Sequence, residues 1–513
     1  MFRASASEPP SARSNTAPDA MKIFLFIEQL PADLALYRRH CLINRKVPPR
    51  VPISAANASV PEQATVRMRS SICPLQSFER KMTTPVSDAE RSPAVGQSKP
   101  RLFKILGPGL ITGASDDDPS GIATYSQAGA AFGFTLSWTL VLCYPLMAAV
   151  QEISARIGRT TGKGLAGNII PHYPAPLVFT LVALLFSANI INIGANLGAM
   201  GDAVRLLIGG PQLVYVIAFG ILCTLMEIFM KYTRYVAVLK WLTLALFSYI
   251  ATLFIVHVPW NEVAKGLFIP RLSADHNYWE TIVAIFGTTI SPYLFFWQAS
   301  QEVEDIHEIP RREPLLKQPR QAPNAEERIR LDTLVGMAFS NIVALSIITT
   351  VAATLHSSGV TNIESSAQAA EALKPIGGSL AFALFALGII GTGLLSIPVL
   401  AGSAAYALGE ALKCRVGLSL EPMEGRAFYG MIALATLIGI AINFSGVNPI
   451  KALYYSAVIN GLVAVPIIAI MMLISSDEKI MGRFKIGGWL LYLGWTTAAV
   501  MGLAGAAMLL DLV

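Results

Sequence analysis

From Leu102 onward the chain alternates long apolar stretches with short polar loops, and that alternation leaves few folds open to it. Eleven stretches stand out, at roughly 105–133, 135–156, 176–200, 211–230, 235–257, 278–301, 332–355, 377–402, 427–443, 450–474 and 487–511. A helix rises about 1.5 Å per residue, so about 20 apolar residues cross a bilayer core. Lipid offers the backbone no hydrogen-bond partners, so such stretches are read as helices that satisfy themselves. Of the 513 residues, 53% are hydrophobic and 14% charged, against about 25% charged in ordinary soluble domains. The reading is an all-α, multi-pass protein of the cell membrane.

Loop charges give this protein an orientation. With the N-terminus inside, the inner loops carry Arg159 and Lys163; Lys231 and Arg234; six basic residues from Arg311 to Arg330; Lys413, Arg415 and Arg426; and Lys479, Arg483 and Lys485. The opposite loops hold Arg205, Lys265, Arg271, Lys374 and Lys451. The positive-inside rule therefore predicts a cytoplasmic N-terminus and an external C-terminus. It also accounts for the net charge of +6 without nucleic acid as a partner. The partners that remain are the bilayer and a small solute, and no protein partner is inferred. Cys41, Cys73, Cys143, Cys223 and Cys414 are scattered without a CxxC pair, so neither a disulfide framework nor a zinc site is implied.

Residues 1–98 differ in kind from residues 99–513. They are rich in Ser, Pro, Ala and Arg, and their one apolar run, Ile23 to Ile27, is too short to span. The expectation is a disordered cytoplasmic extension, of which the first 81 residues, upstream of Met82, read equally well as an extension of the reading frame or as a real tail. The segment from Glu304 to Arg330, with Pro310, Pro314, Pro319 and Pro323, reads as a flexible cytoplasmic connection.

Two spans are interrupted. In the first, Ser115-Asp116-Asp117-Asp118-Pro119-Ser120-Gly121 sits near mid-span, with Asp118 roughly 20 Å in from Ile105 at the helical rise. A carboxylate there costs about 2.5–3.5 kcal/mol even on the lenient insertion scale. The Pro and Gly that follow break the helix and free backbone carbonyls. Acidic side chains beside unwound backbone make a place to hold a cation. The sixth span repeats the oddity at Gly287-Thr288-Thr289-Ile290-Ser291-Pro292-Tyr293. A single mid-helix Pro is most often a kink, but two at corresponding positions point to two five-helix halves of opposite orientation plus one further helix.

Gly107-Pro108-Gly109, Asp118-Pro119-Ser120-Gly121-Ile122-Ala123-Thr124 and Gln127-Ala128-Gly129-Ala130-Ala131-Phe132-Gly133-Phe134 together resemble the first helix of NRAMP divalent-metal transporters, whose motif there is Asp-Pro-Gly-Asn. The resemblance spans about Leu102 to Leu510. It implies a LeuT-type inverted repeat with first and sixth helices broken, and uptake of divalent metal by alternating access. The metal is then substrate, not cofactor. The motif Asp falls on Asp118, but Gly121 stands where the family has an Asn ligand. Ser291-Pro292-Tyr293 replaces the family's Met-Pro-His, and Asn189 and Asn192 fall where proton-coupled members carry an Asp and a Glu. The pattern looks like the NRAMP-related magnesium transporter branch, in which the soft ligand and proton coupling are lost.

On that footing Asp118 is the first candidate ligand, a role compatible with capping the helix that follows. Asp116 and Asp117 cannot both join it around one ion on a regular helix, though unwinding would let two converge; Asp117 is then the further metal candidate, and Asp116, with Tyr293, a candidate for the path. Thr288, Ser291 and the carbonyls near Ile290 could add oxygens, with Ser115, Pro119 and Pro292 shaping the two breaks. Ser291 could equally be a small residue that lets helices pack closely. Asn189, Asn192, Asn196 and Asn460 are either interhelical hydrogen bonders or a polar lining for the path. Oxygen ligands suit Mg²⁺, Ca²⁺ and Mn²⁺, and the exchange of Asn for Gly121 and Met for Ser291 suggests a roomy pocket for an ion that keeps its waters. The six His residues all lie in the tail, in loops or at span ends. Glu152, Glu227, Glu302, Glu304 and Asp305 fall at cytoplasmic ends, where solvent or Arg156, Lys231 and Arg234 would meet them. The alternatives are a proton-coupled Mn²⁺/Fe²⁺ importer, a sodium-coupled importer of a small organic solute, and a sensor that binds metal without moving it. No nucleotide motif or nucleophile–base spacing points to an enzyme.

Overall fold

The computed structural model describes residues 108–230, 247–254, 256–273, 275–371 and 381–510; the extension expected over residues 1–98 lies outside them. The described residues form helices joined by short loops. The first span is α1 (Pro108–Asp116) and α2 (Pro119–Phe132), followed by α3 (Trp138–Thr161), the short α4 (Leu165–Ile169), α5 (Ala175–Ile208) and α6 (Gln212–Phe229). Next come α7 (Phe247–Leu253), which is the described part of the fifth span, α8 (Trp260–Phe268), and the sixth span as α9 (His276–Thr289) and α10 (Pro292–Glu308). The second half continues with α11 (Ala322–Thr354), α12 (Ser366–Glu371), α13 (Ala381–Ala411), α14 (Arg426–Ile442), α15 (Pro449–Ser476), α16 (Glu478–Met481) and α17 (Gly488–Leu510). Nine helical stretches among the described residues are long and apolar enough to cross a membrane. With the broken α1–α2 pair they account for ten of the eleven read from the sequence; most of the fifth, expected at 235–257, lies outside the described residues. Two sets of five, each led by a broken helix, plus an eleventh give the expected LeuT-type inverted repeat.

Both breaks fall where local chemistry requires them. Pro119 and Pro292 each open a new helix at its first position, where the missing N–H is no loss. Asp118 and Ser291 precede them in extended conformation as N-caps. The second break is held against α15 by a close backbone crossing. A Cβ at Gly287 would lie 1.9 Å from the Ala457 carbonyl oxygen, and one at Gly461 would lie 2.6 Å from that of Val283. No side chain fits there, so glycine on both helices fixes the depth of α9. On the other side, α13 packs along α5, while α1 and α2 pack on α11.

The connection between α10 and α11 is not the flexible linker expected. After α10 the chain folds back onto the end of α3, with the amides of Leu315 and Leu316 donating to the carbonyls of Arg159 and Thr160 at 3.2 Å each. Leu315 is buried with Ala322 and Ala325 against Phe484, and helix resumes at Ala322, ten residues before the expected start. Glu302, Glu304 and Asp305 are buried too, not solvated. Arg312 pairs with Asp305 at 2.9 Å and Arg328 with Glu302 at 2.5 Å. Glu304 accepts from the Tyr406 hydroxyl at 2.6 Å and the Leu418 amide at 2.8 Å. Composition misled here because proline in the right conformation lowers the entropy of the unfolded chain, and the charges neutralise one another inside. Glu152 does pair with Arg156, at 2.6 Å, whereas Glu227 is buried and finds no hydrogen-bond partner among the described residues, Lys231 and Arg234 lying outside them.

Candidate functional site

The two breaks meet in the middle of the helix bundle. Tyr293, two residues past Ser291, donates its hydroxyl to the Ser115 carbonyl at 2.8 Å, taking up one of the oxygens that the first break frees. Thr288 lies against Gly121: a Cβ on that glycine would sit 3.1 Å from Thr288 Oγ1, 3.3 Å from the Tyr125 ring and 3.4 Å from the Asp116 carbonyl. The space expected from an absent side chain at Gly121 is therefore filled by its neighbours. All three carboxylates are closed off from solvent, with Asp116 and Asp117 at 0% exposure and Asp118 at 1%.

The aspartates do not converge. Among the described residues no three His, Cys, Asp or Glu side chains are grouped as a metal cage. Asp116 reaches α11, where Ser340 Oγ donates to its Oδ2 at 2.6 Å. Its Oδ1 and both oxygens of Asp117 are buried without a hydrogen-bond partner. Asp118 has the opposite environment. Its Oδ1 accepts from Ser120 Oγ at 2.5 Å and from the Gly121 amide at 2.9 Å. Its Oδ2 accepts from Asn192 Nδ2 and Asn196 Nδ2, both on α5 and both at 3.1 Å. Four donors occupy the roughly four acceptor positions a carboxylate has.

The sixth span contributes less outward chemistry. Ser291 turns its hydroxyl back onto the carbonyls of Gly287 (2.6 Å) and Thr288 (2.9 Å), the second of which loses its helical amide partner because residue 292 is proline. Thr289 donates to the Ile285 carbonyl at 2.8 Å and approaches Cys143 Sγ of α3 at 3.4 Å. Thr288 Oγ1 is buried and unpartnered, as are both side-chain atoms of Asn460, next to the glycine crossing on α15.

Of the residues singled out from sequence, the structure brings together Ser115, Asp116, Asp118, Gly121, Thr288, Asn192 and Tyr293. Asn189 goes elsewhere: its amide donates to the Leu400 carbonyl at 3.0 Å and Ser403 Oγ at 2.9 Å, both on α13. Asn196 takes the place it was expected to fill. The signal was available, since residues four apart share a helix face and Asn192 and Asn196 are such a pair. Ser120, Ser340, Ser456 and Cys143 were missed. Only Ser120, inside the motif and two residues from Asp118, had a readable signal; the others are single small residues on remote spans.

An oxygen-rich, solvent-excluded centre flanked by two helix breaks can hold a hard cation with few direct ligands, because freed carbonyls and buried carboxylates need a positive partner. Comparison with known proteins agrees with the motif. The chain is 26% identical over 423 residues to the divalent metal cation transporter MntH of Klebsiella pneumoniae, covering 81% of this chain and 95% of that one. It is 30% identical over 321 residues to MntH of Yersinia pestis, covering 60% and 73%. Its fold matches the crystal structure of the Eremococcus coleocola manganese transporter, solved with an aromatic bis-isothiourea compound, with a TM-score of 0.64 at 18% identity over 82% of this chain and 89% of that one. Residues 109–511 match the family described as natural resistance-associated macrophage protein-like, and the chain therefore belongs to the Nramp family.

Proposed function

We propose that this protein moves divalent metal cations across the membrane by alternating access, and that its substrates are hard ions, Mg²⁺ or Mn²⁺, carried with little or no proton coupling. It is a transporter, not an enzyme, and the metal is its substrate. The observation that carries the reading is the chemistry of the two breaks. Three buried carboxylates stand at the first, and the second offers Thr288, Ser291 and carbonyls where a thioether or an imidazole would select softer ions. Asp118 is the principal ligand in this reading. Asp117, Thr288 and the Gly121 backbone are the further oxygens, Ser291 joins them only where its hydroxyl leaves the Gly287 and Thr288 carbonyls, and Asp116, Tyr293, Asn192 and Asn460 line the path. Asn189, turned onto α13, belongs to the helix packing beside it.

The absence of coupling rests on the residues around Asp118. Asn192 and Asn196 cannot exchange protons near neutral pH, and Tyr293 is tied to the Ser115 carbonyl. The buried thiol of Cys143 is engaged by Thr289. The orientation that fits the loop charges puts the N-terminus in the cytoplasm and the C-terminus outside. The test is uptake into proteoliposomes containing an internal pH dye, with Mg²⁺, Mn²⁺ and Ca²⁺ supplied in turn. Mg²⁺ and Mn²⁺ should enter without acidifying the lumen. Proton movement that scales with metal flux would favour a proton-coupled importer, and flux of none of the three would leave a sensor.

A further inference from the structure

Asp118 is the residue that the proposed function needs most, and here every acceptor position on it is occupied. Two of its donors, Ser120 Oγ and the Gly121 amide, belong to α2 itself and move with it. The other two come from across the interface, from Asn192 and Asn196 on α5. The amide orientations are not arbitrary. A carboxylate only accepts, so the NH₂ ends must face it. The remaining contacts fit that choice, since Asn192 Oδ1 accepts from Ser456 Oγ at 3.2 Å and Asn196 Nδ2 also donates to Ser396 Oγ at 3.2 Å.

An N–H donor and a cation compete for the same lone pairs on Oδ2. We propose that Asn192 and Asn196 are positioning residues that hold Asp118 in the empty carrier and are displaced when a divalent cation binds, so that ion arrival releases the first break from α5. This rests on the reading of Asp118 as a metal ligand. It goes further by giving the ion a differential interaction with two arrangements of the helices, which any ligand-driven conformational change requires. The clasp also has a second role: it stabilises the empty closed carrier that must form after each release. The opposite arrangement, in which the amides turn over and offer oxygens such as Asn196 Oδ1 (buried and unpartnered here), would make them ligands. The two arrangements differ in the sign of one measurement.

The experiment is calorimetric titration of Mn²⁺ into the purified full-length protein, with Asn192→Ala, Asn196→Ala and Ser456→Ala. Each Asn variant should bind Mn²⁺ more tightly, by about threefold to tenfold, the range that one net hydrogen bond supplies. Ser456→Ala touches neither Asp118 nor the break, so it tests the idea even where an Asn variant fails to fold; it should tighten binding in the same direction by less. In proteoliposomes, net Mn²⁺ uptake, which needs return of the empty carrier, should fall relative to Mn²⁺–Mn²⁺ exchange, which does not. Weaker or unchanged binding, or net uptake and exchange falling together, overturns the clasp. Asp118→Ala titrated alongside separates the two levels. Wild-type binding by that variant would remove Asp118 as ligand. Its loss of binding, together with weaker binding by the Asn variants, would keep the ligand and make the amides part of its coordination.

Discussion

The two helix breaks are built from similar parts and use them in opposite ways. Each pairs a polar N-cap with a proline at the first helical position. At the first, the side chains reach outward: Asp116 to Ser340 on α11, Asp118 to Asn192 and Asn196 on α5. At the second they mostly fold back: Ser291 onto Gly287 and Thr288, Thr289 onto Ile285. A break that satisfies its own backbone can stay rigid while its neighbours move. A break whose satisfaction lies on other helices must exchange partners whenever those helices shift. On the proposed mechanism the first break is thus the responsive half of the site and the second the fixed half.

The harshest way to break this contrast is at Asp118. Asp118→Ala should abolish metal uptake, by about a hundredfold or more, while the protein still inserts. The loss combines the proposed charged ligand with an Asn192 amide left without an acceptor and an Asn196 amide left with Ser396 alone. Wild-type uptake by that variant would remove the first break from the mechanism. If the second break sets selectivity, as proposed, Ser291→Met, with Gly121→Asn facing it across the site, should favour Mn²⁺ over Mg²⁺ in competitive uptake. A tenfold change in that ratio requires only about 1.4 kcal/mol, within reach of one sulfur ligand. The added Asn must displace Thr288 Oγ1, which a Cβ at Gly121 would approach to 3.1 Å. An unchanged ratio with flux intact would show that Ser291 does not face the ion.

Smaller effects sharpen the picture. Thr288→Ala removes the one hydroxyl at the second break that has no hydrogen-bond partner. The apparent KM for Mn²⁺ should rise by about threefold with little change in maximal rate, as for loss of one neutral oxygen worth under about 1 kcal/mol. A fall in maximal rate alone would place Thr288 in the conformational step instead. Ser291→Ala should do least to transport, lowering uptake by about twofold. It should be felt more in thermal unfolding, at about 1 kcal/mol for the lost hydrogen bonds to α9. A larger transport defect than that of Thr288→Ala would mean that the serine hydroxyl leaves its own helix during the cycle.

What the sequence determined by itself was the all-helical, multi-pass architecture, the two breaks and the residue that caps each of them. Those follow from local physics: apolar length fixes a span, proline forbids the amide that would continue a helix, and a polar residue before it caps the next one. Asp118 was legible as both cap and candidate ligand because both roles depend on its immediate neighbours. The tertiary structure decided who meets whom. Asn189, Asn192 and Asn196 lie within two turns of one helix, yet the first bonds to α13 and the other two to Asp118, because which helix lies opposite is set by packing and not by periodicity. Packing likewise fixed the direction of the Ser291 hydroxyl, the crowding at Gly121, and the folding of the proline-rich connection onto α3 with its charges paired inside. A sequence shows which groups must find partners; only the arrangement of the helices supplies the partners.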